Sequence, residues 1–344
     1  MLNKIWLSTV RAYIKLGLFF YFKKIHIVNR ANMPKDQPVL ILANHQNALL
    51  DTLIIAIKCN RFSYFLTRAS AFNSPFIANV LKSLRMLPVY RRRDGLQSVT
   101  KNKAIFKVCT DLFNNNESIV IFPEGNHNLK RTVRPLIKGF TRLVFNTLER
   151  YPDLDLQLVP VGFNYVNPEK FVDEVSLRIG APIKAKDYIG FERHKGVLKL
   201  KEEVFQSITK LTTHIPGSNY DNIKMELDAL HANFLNPQLI NDCISSRFQD
   251  CGIQKKKKQA IIKRVFKGLL LLNIMFPYLI WNKAIAPKIK EIEFVSTFRF
   301  VVAITLVPFY LILVSIIIVL FAGWITAAIY VLAIVLLALV TVKI

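Results

Sequence analysis

Val39-Leu40-Ile41-Leu42-Ala43-Asn44-His45-Gln46-Asn47-Ala48-Leu49-Leu50-Asp51 passes without a break from an apolar run into a polar segment holding a histidine and a carboxylate. The apolar run is short, rich in branched side chains and bounded by Pro38, so it reads as a buried strand. A histidine and a carboxylate at the end of a central strand can form a general-base pair. The carboxylate holds one ring nitrogen as a donor, and the other nitrogen is left to take a proton near neutral pH. The plainer alternative is a hydrogen-bonded strand end with no chemistry, so the rest of the chain has to decide.

Working outward, short apolar segments alternate with helical patterns from Val39 to about Gly180. The expected strands are Val39–Ala43, Ser63–Thr67, Ser118–Phe122, Leu156–Phe163 and Val175–Ile179. Helical patterns fall between them at Thr52–Lys58, Pro75–Leu84, Leu96–Phe113 and Lys138–Glu149. This alternation predicts an α/β fold with a largely parallel central sheet flanked by helices. Ligands of such sheets collect beyond the carboxyl ends of the strands, where His45 and Glu124 would both sit.

Composition narrows the setting. A formal net charge of +24 coexists with 52% hydrophobic residues and a positive mean hydropathy. That combination fits apolar segments in a bilayer and a basic part facing anionic phospholipid or phosphorylated ligands. Nucleic acid is not the expected partner, because the basic residues are dispersed and no zinc-finger, basic-region or RNP-type pattern occurs. Cys59, Cys109, Cys243 and Cys251 have no metal-ligand spacing, and nothing at the N-terminus resembles a cleavable signal. The default is an integral membrane protein whose active site faces a reducing cytoplasm.

Residues 1–28 read as an interfacial helix, with Arg11 and Lys15 on one face and Trp6, Tyr13, Phe19 and Phe20 as anchors. A core helix of the catalytic unit matches the same periodicity. Residues 29–190 form the α/β domain and 191–258 a polar helical extension, which ends in the juxtamembrane basic run Lys255–Lys258. Residues 259–290 contain the apolar segment Gly268–Trp281, too short for a comfortable span and flanked by lysines at both ends, so it reads as interfacial or re-entrant. Residues 298–344 hold Val301–Ala322 and Ile325–Val342, nearly charge-free and joined by Gly323-Trp324. They predict a transmembrane helical hairpin with Arg299 and Lys343 on the cytoplasmic side.

Four further motifs accompany the opening stretch. Pro88-Val89-Tyr90-Arg91 ends an apolar strand in an arginine that can fork onto a phosphate. Phe122-Pro123-Glu124-Gly125 follows a strand with a tight turn, and Lys138-Gly139 opens a helix. Val159-Pro160 lies in the last long strand. In this order the five motifs resemble those of the glycerolipid acyltransferase family, the lysophosphatidate and glycerol-3-phosphate acyltransferases.

The resemblance covers roughly residues 1–180 and implies direct acyl transfer without a covalent acyl-enzyme. His45 would deprotonate the acceptor hydroxyl and Asp51 would hold the imidazole. The donor would be acyl-CoA or acyl carrier protein, with no cofactor and no metal. Arg91, Glu124, Gly125 and Lys138 would surround a glycerol phosphate or lysophospholipid acceptor, Glu124 orienting Arg91 or the hydroxyls. His127 would position the acceptor or cap the turn. Two alternatives are a remodelling acyltransferase acting on lysophospholipids or amino-acid lipids, and a catalytically silent membrane-anchored scaffold. The chain also departs from the family pattern twice. Five residues separate His45 from Asp51 where four are commoner, and Leu84-Arg85-Met86 stands where a glycine usually precedes the arginine motif. The longer spacing, Asn47 and His127 are similar to the eukaryotic endoplasmic-reticulum glycerol-3-phosphate acyltransferases.

Overall fold

The computed structural model describes residues 2–90, 98–249, 251 and 261–344. Arg91–Arg93 and the Lys255–Lys258 run lie outside the described residues. The strands are β1 (Phe22–Val28), β2 (Val39–Ala43), β3 (Tyr64–Arg68), β4 (Met86–Val89), β5 (Ser118–Ile121), β6 (Gln157–Tyr165), β7 (Asp173–Ile179) and β8 (Ile183–Lys184). They form one sheet in the order β1-β7-β6-β2-β5-β3-β4, with β8 beside β6. All pairings are parallel except those of β6 with β7 and β8, so the sheet is largely parallel as the alternation predicts.

The central strand β2 is buried on both faces, and its side chains divide between two cores. Val39, Ile41 and Ala43 pack with Leu50, Ile54, Ile55 and Ile57 of α2 (Ala48–Lys58). Leu40 and Leu42 pack on the other side, against α4 (Ser98–Asn114) and α5 (Gly139–Arg150). Between α2 and α4 lies α3 (Pro75–Ser83), capped by Ser74 Oγ, which accepts from the Ile77 amide. The extension begins with α6 (Arg193–Leu211), whose Leu200, Val204 and Ile208 join the second core. The helix approaches β6 so closely that a Cβ on Gly162 would lie 2.4 Å from the Leu211 carbonyl oxygen. A smaller cluster, including Leu227, Phe234 and Ile240, holds α7 (Tyr220–Ala229) and α8 (Pro237–Ser245).

The N-terminal unit differs from the 1–28 helix expected. Helix α1 (Leu2–Tyr21) ends where Phe22–Val28 becomes an edge strand parallel to β7. Lys23-Lys24 reads locally as the close of a helix, and only the neighbouring β7 gives that segment its ladder. Leu18 and Tyr21 are buried in the first core, whereas Ile5, Trp6, Tyr13, Leu16 and Phe19 remain exposed. Arg11 turns back onto the Phe62 ring and the Ile57 carbonyl.

Beyond the extension, α9 (Ile261–Asn273) and the following helical stretch Met275–Lys288, which begins with α10 (Met275–Leu279), meet at 94°. α11 (Val295–Ile304) then runs into α12 (Leu306–Lys343). The break between them follows from Pro308, which has no N–H for the Ile304 carbonyl four residues back. The Tyr13 hydroxyl donates to that carbonyl instead. α12 reverses at Gly323, which has φ 80° and ψ 167°. Ile304 lies beside Tyr13, and the Lys343 ammonium reaches the Phe22 carbonyl. The same 39 steps run straight would separate those ends by roughly 58 Å. The long apolar helix is a candidate membrane span.

Two cysteines also bear on the setting. Cys243 and Cys251 are joined as a disulfide, a bond of oxidising compartments, so the cysteines give no support to the reducing location expected. Cys59 and Cys109 are free and buried, and burial pushes both thiols up to about 12.

Candidate active site

β2 carries Asn44 and His45 out of its carboxyl end. The Asn44 side chain extends the ladder to β6, accepting from the Phe163 amide at 2.7 Å and donating to its carbonyl at 3.2 Å. One residue on, His45 Nδ1 lies 2.8 Å from Asp51 Oδ2. A carboxylate only accepts, so Nδ1 carries the hydrogen and Nε2 is the basic nitrogen. The ring is stacked on Phe122, centroids 3.8 Å apart and 11° from parallel. The Asn128 amide donates to the His45 carbonyl at 2.9 Å, tying the loop after the Phe-Pro-Glu-Gly turn to the same strand end.

Asp51 sits in the first turn of α2 and is fully buried. Its carboxylate accepts three hydrogen bonds. Oδ2 takes His45 and the Asn47 amide, each at 2.8 Å, and Oδ1 takes the Tyr165 hydroxyl at 2.6 Å. Burial first, and then the Asp51 charge, push the Tyr165 phenol well above its ordinary range, so it remains a donor. Tyr165 ends β6 and is absent from the sequence-derived set. The signal was the in–out alternation of that strand, carried two residues beyond Phe163.

Five residues between histidine and carboxylate are accommodated at Ala48, where φ is +37°. Left-handed backbone is unusual for a residue with a Cβ and costs about 1–2 kcal/mol. In the stretch Leu84-Arg85-Met86, where the other departure falls, Arg85 is likewise left-handed, with φ +60°. Its guanidinium donates to the Phe62 carbonyl and to Glu117, and lies over the Tyr64 ring.

Glu124 lies in the turn after β5 with its side chain 4% exposed, and it accepts from Arg134 Nε at 2.8 Å. Burial pushes its carboxyl up, while Arg134 and, more weakly, His45 pull it back. Its observed partner is therefore Arg134, ten residues on, in place of the expected Arg91, which lies outside the described residues. Arg134 also donates to the Asn126 carbonyl. Gly125 has φ +74°, the left-handed turn that Gly allows at no Cβ cost. The Ile137 amide donates to the Pro123 carbonyl, which brings the start of α5 and the exposed Lys138 beside the turn. Arg131 is buried over the Phe234 ring and donates to the Val166 carbonyl, so the helical extension supports the site loop.

His127 stands edge-on to His45 with centroids 5.7 Å apart. Its ring meets Phe294 at 4.7 Å, and Nε2 lies 3.8 Å from Glu291. His127, Glu291 and Glu293 are the one group among the described residues whose geometry could hold a metal ion, with ligand atoms within 4.8 Å of one another. His45, Asp51 and Glu124 are not members of that group. Exposed carboxylates often cluster without an ion.

Residues 24–164, the segment that supplies the histidine, its carboxylate and the Glu124 turn, match the family described as Acyltransferase. That segment, less than half of the chain, is what resembles the acyltransferase family. An uncharacterized acyltransferase of Schizosaccharomyces pombe is 27% identical over 103 residues, which are 28% of this chain and 15% of that one. Glycerol-3-phosphate O-acyltransferase 1 of Saccharomyces cerevisiae is 33% identical over 69 residues, 20% of this chain and 9% of its own. The chain thus spans a small part of either yeast relative. The 1-acyl-sn-glycerol-3-phosphate acyltransferase of Borreliella burgdorferi is 28% identical over 202 residues, 59% of this chain and 74% of that protein. The crystal structure of the 1-acyl-sn-glycerophosphate acyltransferase of Thermotoga maritima aligns with a TM-score of 0.42 at 19% identity, over 59% of this chain and 78% of that one.

Proposed function

We propose that this protein is a membrane-bound acyltransferase that moves a fatty acyl group from an acyl thioester, acyl-CoA or acyl carrier protein, to a hydroxyl of glycerol-3-phosphate or 1-acyl-glycerol-3-phosphate. The observation that carries this reading is the His45–Asp51 pair at the carboxyl end of β2, with Nε2 as the free base of a fully oriented imidazole. Nε2 takes the acceptor's hydroxyl proton, and the oxygen attacks the thioester carbonyl to give a tetrahedral oxyanion. Collapse breaks the C–S bond, and the imidazolium returns its proton to the departing sulfur. The Asp51 charge stabilises the imidazolium between those two transfers.

Arg91, Glu124, Gly125 and Lys138 are assigned to the acceptor's glycerol phosphate. Glu124 alone would repel a phosphate, and its pairing with Arg134 removes that objection. The membrane reading rests on the hairpin, whose turn presents Leu320, Phe321 and Trp324 at 76%, 88% and 72% exposure. A patch this apolar is covered by lipid or by protein, and the +24 charge favours an anionic lipid surface.

The test is thiol release by purified protein in phospholipid vesicles, with glycerol-3-phosphate, lysophosphatidate and lysophosphatidylcholine compared as acceptors. The proposal expects release with one of the first two and its loss in His45→Ala. Release only with lysophosphatidylcholine would move the enzyme to lipid remodelling, and release unchanged in His45→Ala would remove the base assignment. Absence of release with every acceptor would leave the silent scaffold.

A further inference from the structure

The pair His45–Asp51 is held across a loop one residue longer than the commoner family spacing, and residues 24–164 alone do not account for how that loop is held. Ala48, at φ +37°, is also buried, so the backbone there has neither a glycine's freedom nor solvent around it. On the N-terminal side of Ala48, Asn47 is fixed twice. Its amide donates to Asp51 Oδ2, and its side chain donates to the Pro168 carbonyl at 3.1 Å. On the other side, the Leu50 amide of the first turn of α2 donates to the Asn47 carbonyl, whereas the Leu49 amide, at the second helical position, has no carbonyl to reach within the helix. Asn47, the capping residue, does not cap that amide with its side chain.

The Leu49 amide donates instead to Thr297 Oγ1 at 3.3 Å, a residue 248 positions away. Thr297 is buried in α11, the helix that leads into the apolar hairpin. The start of α11 is itself anchored to the segment that holds Asn47. Ser296 Oγ donates at 2.6 Å to the same Pro168 carbonyl that Asn47 uses, and Arg299 donates to the Glu169 carbonyl at 3.0 Å. The Tyr21 hydroxyl donates to the Ser296 carbonyl from the N-terminal helix. The C-terminal arm therefore closes a bracket of hydrogen bonds around the loop.

We propose that Thr297 is a positioning residue of the acyl-transfer site: its hydroxyl caps α2 from outside the family segment and holds Asp51 in register with His45. The proposal rests on the reading of His45 as the base. Geometry of this kind acts on the chemical step, since a base displaced by a fraction of an ångström still leaves both substrate sites intact.

The experiment compares Thr297→Val, Thr297→Ser and wild type in thiol release, with thermal unfolding of each protein as a check on folding. Loss of the acceptor oxygen in Thr297→Val lowers kcat by between about ten- and a hundredfold. KM for donor and acceptor stays within about twofold. Thr297→Ser, which keeps the hydroxyl, returns most of the lost kcat. Thr297→Ala removes the oxygen without setting a second methyl against the Leu49 amide, and it gives the same kcat loss should the valine variant fail to fold. Wild-type kcat in a folded Thr297→Val or Thr297→Ala, or a loss that serine does not restore, overturns the proposal. His45→Ala runs alongside: if it retains activity, the base reading has failed, whereas an inactive His45→Ala with an active Thr297→Val defeats the positioning role alone.

Discussion

Tyr165→Phe isolates one hydrogen bond of the site without disturbing its packing. The ring is fully buried between Phe22 and Phe163, at centroid distances of 6.3 and 6.1 Å, and phenylalanine preserves those contacts. Only the donor to Asp51 Oδ1 disappears. A hydrogen bond to a charged group contributes about 1.5–3 kcal/mol, and the cost lies toward the upper end when the abandoned acceptor is buried. Asp51 is at 0% exposure, and Oδ1 has no second partner among the described residues. The expected loss is therefore about 2–3 kcal/mol, measured by denaturant unfolding of the detergent-solubilised protein. Since the carboxylate then keeps two of its three bonds, kcat should fall by about tenfold or less, far less than in His45→Ala. The alkaline limb adds a second readout. The folded-state pKa of Tyr165 is raised, so its contribution to stability is complete below the unfolded value near 10 and is lost as pH rises beyond it. Tyr165→Phe removes that part of the decline, up to about 1.4 kcal/mol per pH unit, leaving the contributions of other raised tyrosines such as Tyr21 and Tyr188. An unfolding free energy within about 0.5 kcal/mol of wild type, with an unchanged slope above pH 10, would refute the assignment of the phenol as the carboxylate's support.

Asp173 is buried and, mainly for that reason, pushed up to about 7. Its share of stability is complete below pH 3.8 and drains away as pH rises through 7, so Asp173→Asn should flatten the pH dependence of unfolding between about 4 and 7. Arg134→Ala leaves the Glu124 carboxylate buried without its cation and should cost up to about 3 kcal/mol, less than a fully buried pair because Arg134 is part-exposed. The double variant with Glu124→Gln should recover part of that loss in a double-mutant cycle. Gly162→Ala drives a methyl group against the Leu211 backbone, and the overpacking should lower the unfolding free energy by about 1–3 kcal/mol without affecting the reaction directly.

The parallel sheet was legible because it is written in a local pattern. Val39–Ala43 is apolar at both parities, which only a strand covered on both faces requires, and the two cores on either side of β2 are the result. The histidine and carboxylate were legible for the same reason, since six positions of one chain segment bring them together. β1 was not legible: Phe22–Val28 carries two lysines and a histidine, and as an edge strand it is held by β7, about 150 residues later. Arg134 and Tyr165 escaped because each reaches its carboxylate through a fold-dependent contact, across a turn in one case and from a neighbouring strand in the other.

The two departures from the family pattern share one physical solution. The stretch before β4 and the loop before α2, where those departures fall, each hold a side-chain-bearing residue in left-handed backbone, Arg85 at φ +60° and Ala48 at φ +37°. Such a residue persists only where its surroundings over-determine it. Arg85 supplies its own constraint, using its guanidinium to reach Phe62, Tyr64 and Glu117. Alanine has no such group, so the constraint at Ala48 has to come from its neighbours, from Asn47 on one side and from Thr297 through the Leu49 amide on the other. A segment cut at residue 164 would keep the histidine, the carboxylate and the strained alanine, and would lose the brace, together with Tyr165. The C-terminal arm thereby braces the loop between His45 and Asp51 as well as carrying the apolar hairpin, which ties the geometry of that pair to the most apolar part of the chain.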